Sequence, residues 1–292
     1  MSLRYGKQNK LSTKQIIPII LALIALLLAI AVMAAWMLIR YRQNKTPTSE
    51  ESTDGVSNYI EPLTAVESSL IIFDFEESAR FVLVQTDPAD AVIRVVHVPA
   101  NLADKSGNTL SSILDKHGSL QVIQAVSTAL ELTVKHYITW SADGVQSFLN
   151  ELSSGIVYTL PEAIRYTDEN GSTIRLSAGE QKLTGAQAAA VLQYHLWNDP
   201  TNAQLIAVQM TAAVLNQYMV PQQSLDGYFA SLADTAQTDL RIDNYNSFRR
   251  VLTHLADNNT GALCRCITLV GTESNGIFIP DIPAMKKSEL YS

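Results

Sequence analysis

Basic charge is scarce in this chain wherever an anion-handling protein would need it. Of 21 lysines and arginines, seven (Arg4, Lys7, Lys10, Lys14, Arg40, Arg42 and Lys45) fall in the first 45 residues, which contain no acid. The other fourteen stand against 28 aspartates and glutamates, a formal charge of −14 over residues 46–292. No Lys/Arg cluster interrupts that field, which excludes nucleic acid as a partner and disfavours phosphate-rich polymers unless a local pocket overrides it. Cysteine is nearly absent: Cys264 and Cys266 sit one residue apart in an apparent strand, a spacing poor for a disulfide, and two sulfurs make no zinc site. Gly-x-Ser-x-Gly, His-Glu-x-x-His and phosphate-loop patterns are missing. There is no internal repeat, and no low-complexity block beyond a polar segment near the N-terminus.

What is present begins with an uncharged, almost wholly apolar run at residues 16–39. As a helix it would extend about 36 Å, enough to cross roughly 30 Å of hydrocarbon, and it is longer than the apolar region of a cleaved signal peptide. A retained transmembrane helix is predicted. Four basic residues precede it and three follow it, so the positive-inside rule says little. The shortness of the tail leaves the large C-terminal part as the segment that must lie across the membrane. The expected organisation is a cytoplasmic tail (1–15), a membrane span (16–39), a flexible, acidic and polar linker (40–67) and one extracytoplasmic domain (68–292).

Within that domain, β-branched runs begin at Ser69 with LIIF, continue with FVLVQT from Phe81, and recur with VIRVVHV from Val92; Asp87 to Asp90 reads as the turn between the last two. Helical patterns cover residues 120–130, 144–152 and 245–255. Strands are read at residues 136–140, 156–160 and from Leu263. This alternation predicts an α/β fold, an α-β-α sandwich with a mixed central sheet.

The most informative stretch is 173–210. Thr184-Gly-Ala-Gln187 is the Thr-x-x-Gln form of a capping box, which satisfies free N–H groups at a helix start. The helix it opens is expected to stop at Asp199-Pro200, and a second helix carries Leu205, Val208, Ala212, Leu215 and Met219 as a buried stripe. Leucine, Thr-Gly-Ala-Gln, a run of alanines and a second Gln-bearing helix resemble the signature of the LytR-CpsA-Psr family. Tyr137, Asp143, Gly144 and Phe148, and a closing Gly276-Ile-Phe-Ile-Pro-Asp281, fit the same order of elements from about Ser68 to about Met285.

The resemblance implies a membrane-anchored bacterial protein that faces outward and transfers glycopolymers from a polyprenyl pyrophosphate carrier to peptidoglycan. It also implies arginines that neutralise pyrophosphate, acids that hold a divalent ion such as Mg, and an apolar tunnel for the prenyl chain. Arginine suits that task because its planar fork grips phosphate oxygens in pairs and keeps its proton. At the first corner the family has Asp-Ser-Arg then Ser-Asp-Thr; here Asp74 keeps the first acid and is the one metal-ligand candidate, Glu77 replaces an arginine and Ala79 the second acid. Arg80 is read as a strand-end surface charge, with partial substitution for the lost arginine as its functional reading. At the second corner Pro99 is kept, but Ala100 and Asn101 stand for arginine and acid, and nearby His97 reads as packed or edge-exposed. At the third, Gln193 and His195 occupy the Arg-x-Arg pair, Gln204 and Ala207 the later arginines, and Tyr194 or Trp197 offers a stacking surface for a sugar.

The ligand-binding candidates are therefore Asp74, Arg80, Ala100, Asn101, Gln193 and His195. With several charge-assisted contacts of about 1.5–3 kcal/mol each removed, the expectation is a non-catalytic binding or scaffold member. Its candidate partners are the membrane, a polyprenyl-linked lipid, a wall glycopolymer or another protein. The alternative is an active phosphotransferase that gathers Arg80, Arg94, Arg165 or Arg175 into a rearranged site, and a third reading is an anchored structural domain without a small ligand.

Overall fold

The computed structural model describes residues 65–291, apart from 76–77, 153–154, 169–170, 220–224 and 260. The predicted tail, membrane span and all but the end of the linker lie outside the described residues. Among those described, no helix is long and apolar enough to cross a membrane.

In chain order the elements are β1 (Glu67–Phe75), β2 (Ser78–Asp87), β3 (Val92–Val98), α1 (Leu110–His117), α2 (Ser119–Leu130), β4 (Val134–Trp140) and α3 (Ala142–Glu151). Next come β5 (Ile156–Leu160), β6 (Ile164–Thr167), β7 (Thr173–Leu176), β8 (Gly179–Leu183), α4 (Gly185–Gln193) and α5 (Pro200–Val214), which runs into a π-helical turn at Leu215–Met219. The chain continues through α6 (Leu225–Thr235), β9 (Gln237–Thr238), α7 (Ile242–Asn258), β10 (Cys264–Thr268), β11 (Gly271–Ser274), β12 (Ile277–Pro280) and α8 (Ile282–Met285).

Six strands form one sheet in the order β10-β3-β2-β1-β4-β9, with β1, β3, β4 and β10 running one way and β2 and β9 the other. It is the mixed sheet that the sequence predicts. Alternate residues of its strands leave on opposite faces. Leu70, Ile72, Phe81, Leu83 and Val96 pack on α1 and α2 through Leu110, Ile113, Val122 and Val126. Ile71, Phe73, Val82, Val84 and Val95 pack on the other side, where Phe148, Ala188, Ile206, Val208 and Leu252 bring in α3, α4, α5 and α7. Each fully buried aliphatic or aromatic side chain contributes about 1.5–3 kcal/mol. The result is the expected α-β-α sandwich, with three two-stranded ribbons (β5-β8, β6-β7 and β11-β12) added at its margins.

The capping box forms as read: Thr184 Oγ1 accepts from the Gln187 N–H, and Gln187 Oε1 accepts from the Thr184 N–H. Its glycine has a packing reason, since a Cβ on Gly185 would lie 2.4 Å from Asn150 Oδ1 of α3. The end of that helix corrects the sequence reading. α4 ends at Gln193, and Pro200 opens α5, with Asp199 as an N-cap whose carboxylate accepts from the Thr201 N–H at 2.9 Å. Proline fits the first helical position because its missing N–H would have had no intrahelical acceptor there. Residues 194–199 are thereby an extended crossing between two helices.

At the far end of β2 and β3, buried Arg94 donates to Asp87 Oδ2 at 2.7 Å and to Asp90 Oδ2 at 2.9 Å. Asp87 Oδ1 accepts from the N–H groups of Ala89 and Asp90, which closes the predicted turn. Burial alone would raise the Asp87 carboxyl, but the hydrogen bonds from Arg94 and the turn, with the Arg94 charge, hold it below the usual carboxylate range. Its folded pKa is therefore depressed, so the stability it supplies is present above its unfolded value near 4 and is lost as pH falls through the folded one. Asp87→Asn is expected to cost about 1–3 kcal/mol at neutral pH by removing the more buried of the two carboxylates that Arg94 holds. Urea titrations at pH 7 and pH 3 check this: the loss should shrink in acid, where the native carboxylate protonates as well.

Candidate functional site

The C-terminal ends of β3 and β10 and the start of β2 meet in a cleft of about 500 Å³. Such a position, outside the carboxyl ends of parallel strands, is where α/β sheets commonly take ligands. Arg80, His97, Ala100, Asn101, Ala203, Gln204, Thr268, Glu273 and Phe278 are among the residues lining it.

Arg80 corrects the surface-charge reading. Its side chain leaves β2 on the same face as its cross-strand partner Phe73 and is mostly buried. Nη2 donates to the Tyr194 carbonyl at 2.9 Å, and Nη1 donates to the Ala203 carbonyl. One guanidinium thus ties the start of β2 to the beginning of the 194–199 crossing and to the first turn of α5. Burial pushes its pKa down to about 10, so it remains charged at neutral pH. Nε is buried and has no hydrogen-bond partner among the described residues. His97 lies on the same face, and burial first, then the Arg80 charge, lowers its imidazole to about 4. It is a neutral group at physiological pH.

Ala100 and Asn101 reach the cleft as well, but Asn101 is used structurally: its Nδ2 donates to Glu273 Oε1 at 3.0 Å and to the Gly276 carbonyl at 3.2 Å, latching the β11-β12 ribbon over the end of β3. Of the later arginine positions, Gln204 lines the cleft and Ala207 is buried in the core. The remaining candidates do not converge there. Gln193 accepts from Tyr166 Oη at 2.9 Å and donates to the Ala189 carbonyl, while His195 is exposed. Trp197 is 7% exposed and packs edge-on against Tyr194 at 5.0 Å, so it offers no open face to a sugar.

Asp74 pairs with Ala79 across β1 and β2 and so faces the α1 side, opposite Arg80. Its carboxyl is raised by burial and by the nearby Asp115. The donor set for the metal implied by the resemblance does not fit. Among the described residues the cleft holds one acid, Glu273, already bonded to Asn101, and there is no group of three His, Cys, Asp or Glu suited to a metal. Arg94, Arg165 and Arg175 do not line the cleft either; Arg94 serves the β2-β3 turn, and Arg165 and Arg175 pair across the β6-β7 ribbon. Sequence spacing offered no signal for Glu273 or Phe278, which reach the cleft from a ribbon some 170 residues away in the chain.

A second cavity, about 360 Å³, lies inside the core on the face shared by Phe73 and Arg80. Ile71, Phe73, Val84, Ile138, Trp140, Phe148, Leu192, Met210, Val214 and Leu252 give it a mostly apolar wall, and the π-helical turn contributes Leu215. Buried Thr211 of α5 also lines it, its Oγ1 without a hydrogen-bond partner among the described residues.

Arg80→Gln should lower stability by about 1.5–3 kcal/mol, the worth of charge-assisted bonds to buried carbonyls. A lowered urea midpoint with unchanged m would show it. The depressed His97 pKa means that the unfolded chain binds the extra proton between about pH 6.5 and 4, so stability falls as pH drops through that window. His97→Gln is expected to flatten this part of a stability-against-pH curve measured by thermal unfolding.

Several solved structures share this fold. A protein from Eubacterium siraeum described as a transcription regulator aligns with a TM-score of 0.66 and 17% identity over 83% of this chain and 98% of its own. Bacillus subtilis TagV aligns with a TM-score of 0.62 and 16% identity over 77% and 94%. TagT bound to LI-WTA aligns with a TM-score of 0.55 and 14% identity over 74% and 83%. No curated protein sequence matches. The LytR_cpsA_psr family model matches residues 79–260, most of the domain built around this cleft and cavity, and the protein belongs to that family.

Proposed function

We propose that this protein is a membrane-anchored, extracytoplasmic member of the LytR_cpsA_psr family that takes part in cell-envelope glycopolymer handling by binding, without transferring phosphoryl groups itself. Family membership supports the envelope role, and the LI-WTA bound to TagT supports a wall-polymer ligand class. The apolar run at residues 16–39 supports the anchor, with the N-terminus inside and the domain outside.

The observation that carries the non-catalytic reading is the state of Arg80. Among the described residues it is the only arginine lining the cleft, and two of its donors are bonded to backbone carbonyls. Phosphoryl transfer is catalysed almost entirely by positioning and by electrostatic stabilisation of phosphate charge. A cleft with one committed guanidinium, one carboxylate and a neutral imidazole supplies little of that. The apolar cavity, by contrast, suits the hydrocarbon tail of a polyprenyl-type carrier, which makes lipid binding the property that the core retains. The third reading, a structural domain without a ligand, leaves that cavity without a use.

One observation favours an active enzyme: Arg80 does lie in the cleft, with its Nε unpaired among the described residues. Full-length protein in phospholipid membranes, supplied with a polyprenyl-pyrophosphate-linked glycan, peptidoglycan and magnesium, separates the two readings. Transfer should not exceed the protein-free control. Robust turnover that is lost in Arg80→Gln would establish the enzyme instead.

A further inference from the structure

Arg165 and Arg175 stand directly opposite each other on the β6-β7 ribbon, and both are exposed. The Asp168 N–H donates to the Ser172 carbonyl at 3.0 Å, so the alternation of antiparallel pairs makes Arg165–Arg175 a non-hydrogen-bonded pair, its Cα atoms about 4.5 Å apart. On the same outer face, two residues further along, Thr167 Oγ1 and Thr173 Oγ1 lie 3.0 Å apart. The inner face carries Ile164, Ile174 and Leu176 into the core, and Tyr166 Oη donates to Gln193 at the end of α4. Two guanidinium groups and two hydroxyls are thus presented side by side on a ribbon whose reverse is packed down.

Like charges directly opposite in a sheet destabilise it. Elsewhere this chain sets cation against anion: Lys135 on Glu67, Arg265 on Glu289, Lys286 on Glu131. Arg165 and Arg175 have no hydrogen bond or ion pair among the described residues. The acids three residues to either side of Arg165 serve the backbone instead, since Asp168 Oδ1 accepts from the Ser172 N–H at 2.7 Å and Glu162 Oε1 from the Asn198 N–H at 2.8 Å. In a chain with 28 acids to choose from, two arginines are set against each other and left for an anion from outside.

The arrangement suits a phosphodiester. Its one charge is spread over two non-bridging oxygens, and each of them can take one planar guanidinium fork. The formal charge of −14 over residues 46–292 decides between the two sources of such a group. An anionic bilayer would have to approach the whole acidic domain for the sake of two cations, whereas a flexible strand touches it at the ribbon alone.

We infer that a phosphodiester-linked polymer strand docks on the outer face of the β6-β7 ribbon, with one phosphate between Arg165 and Arg175 and its neighbouring polyol or sugar against the Thr167 and Thr173 hydroxyls. Neither arginine lines the cleft or the cavity, so this is a separate surface. The inference rests on the wall-polymer ligand class proposed above and gives that polymer a place. It also supplies the local override of the acidic field that the linear sequence hides, because the two arginines are ten residues apart in the chain and meet only when the ribbon folds.

Fluorescence anisotropy of a labelled poly(glycerol phosphate) strand, titrated with full-length protein in phosphatidylcholine nanodiscs, tests this. The native protein should bind the strand, and added salt should weaken binding. Arg165→Gln combined with Arg175→Gln should lower affinity by about tenfold or more and flatten the salt dependence. The same variant should keep or raise the thermal midpoint, because a like-charge pair has been removed. Arg265→Gln takes away the same charge elsewhere on the domain and should leave binding within about twofold. Strand binding that survives the double substitution would place the polymer elsewhere and overturn this inference alone. No binding of the strand by the native protein would remove the wall-polymer reading and this inference together. Arginine-dependent co-sedimentation with phosphatidylglycerol vesicles, without strand binding, would make the ribbon a membrane contact and overturn it as well.

Discussion

Adjacent residues of a β-strand must point to opposite faces of the sheet, and this geometric alternation decides nearly everything that follows in this protein. It divides the apolar residues of β1, β2 and β3 into two cores, one under α1 and α2 and the other under α3 to α7. It also separates Asp74 from Arg80: Asp74 shares a face with Ala79, Arg80 with Phe73. A carboxylate and a guanidinium that are close in sequence are thereby placed in different chemical settings, one beside Asp115 and the other in the cleft. No side-chain rotation brings groups on opposite faces together, since a packed sheet lies between them.

On the Arg80 face, the scarcity of basic charge has been turned to structural use. A buried cation must be hydrogen-bonded or it destabilises the fold. Arg80 meets that demand with carbonyls at the two ends of the α4-α5 crossing, and the same carbonyl of Tyr194 also accepts from Trp197 Nε1 at 2.8 Å. The crossing that includes His195 is therefore held in place by Arg80, the one arginine that lines the cleft among the described residues. Neighbouring Asn101 likewise spends its amide on the β11-β12 ribbon. Arg80 and Asn101 thus both donate to this chain's own backbone carbonyls.

Cavity and cleft also differ in the charge they present. The cleft combines a committed guanidinium, a neutral imidazole and one carboxylate. The cavity is walled mostly by apolar side chains, with Glu67, Lys135, His136 and Arg249 also in its lining. Exposed pairs such as Lys135–Glu67 and Arg249–Asp226 add little to stability, typically about 0–1 kcal/mol.

Much of this was legible in the sequence for a physical reason: strands, helices and caps are set by local patterns. The runs at 81–86 and 92–98, the turn at Asp87 and the Thr184-Gln187 capping box needed only near neighbours to be read. The Pro200 reading failed locally, because proline can either end a helix or open one, and only the N-capping carboxylate of Asp199 settles which. The destiny of Arg80 was not legible, since its acceptors lie more than a hundred residues away. The same holds for Glu273 in the cleft and for the cavity, whose walls come from β1, β2, β4 and α3 to α7. The sequence by itself determined which elements form, which faces they bury and how little positive charge there was to place. The tertiary structure decided which charges meet and which space stays empty, because those depend on contacts between segments far apart in the chain, and no local periodicity encodes them.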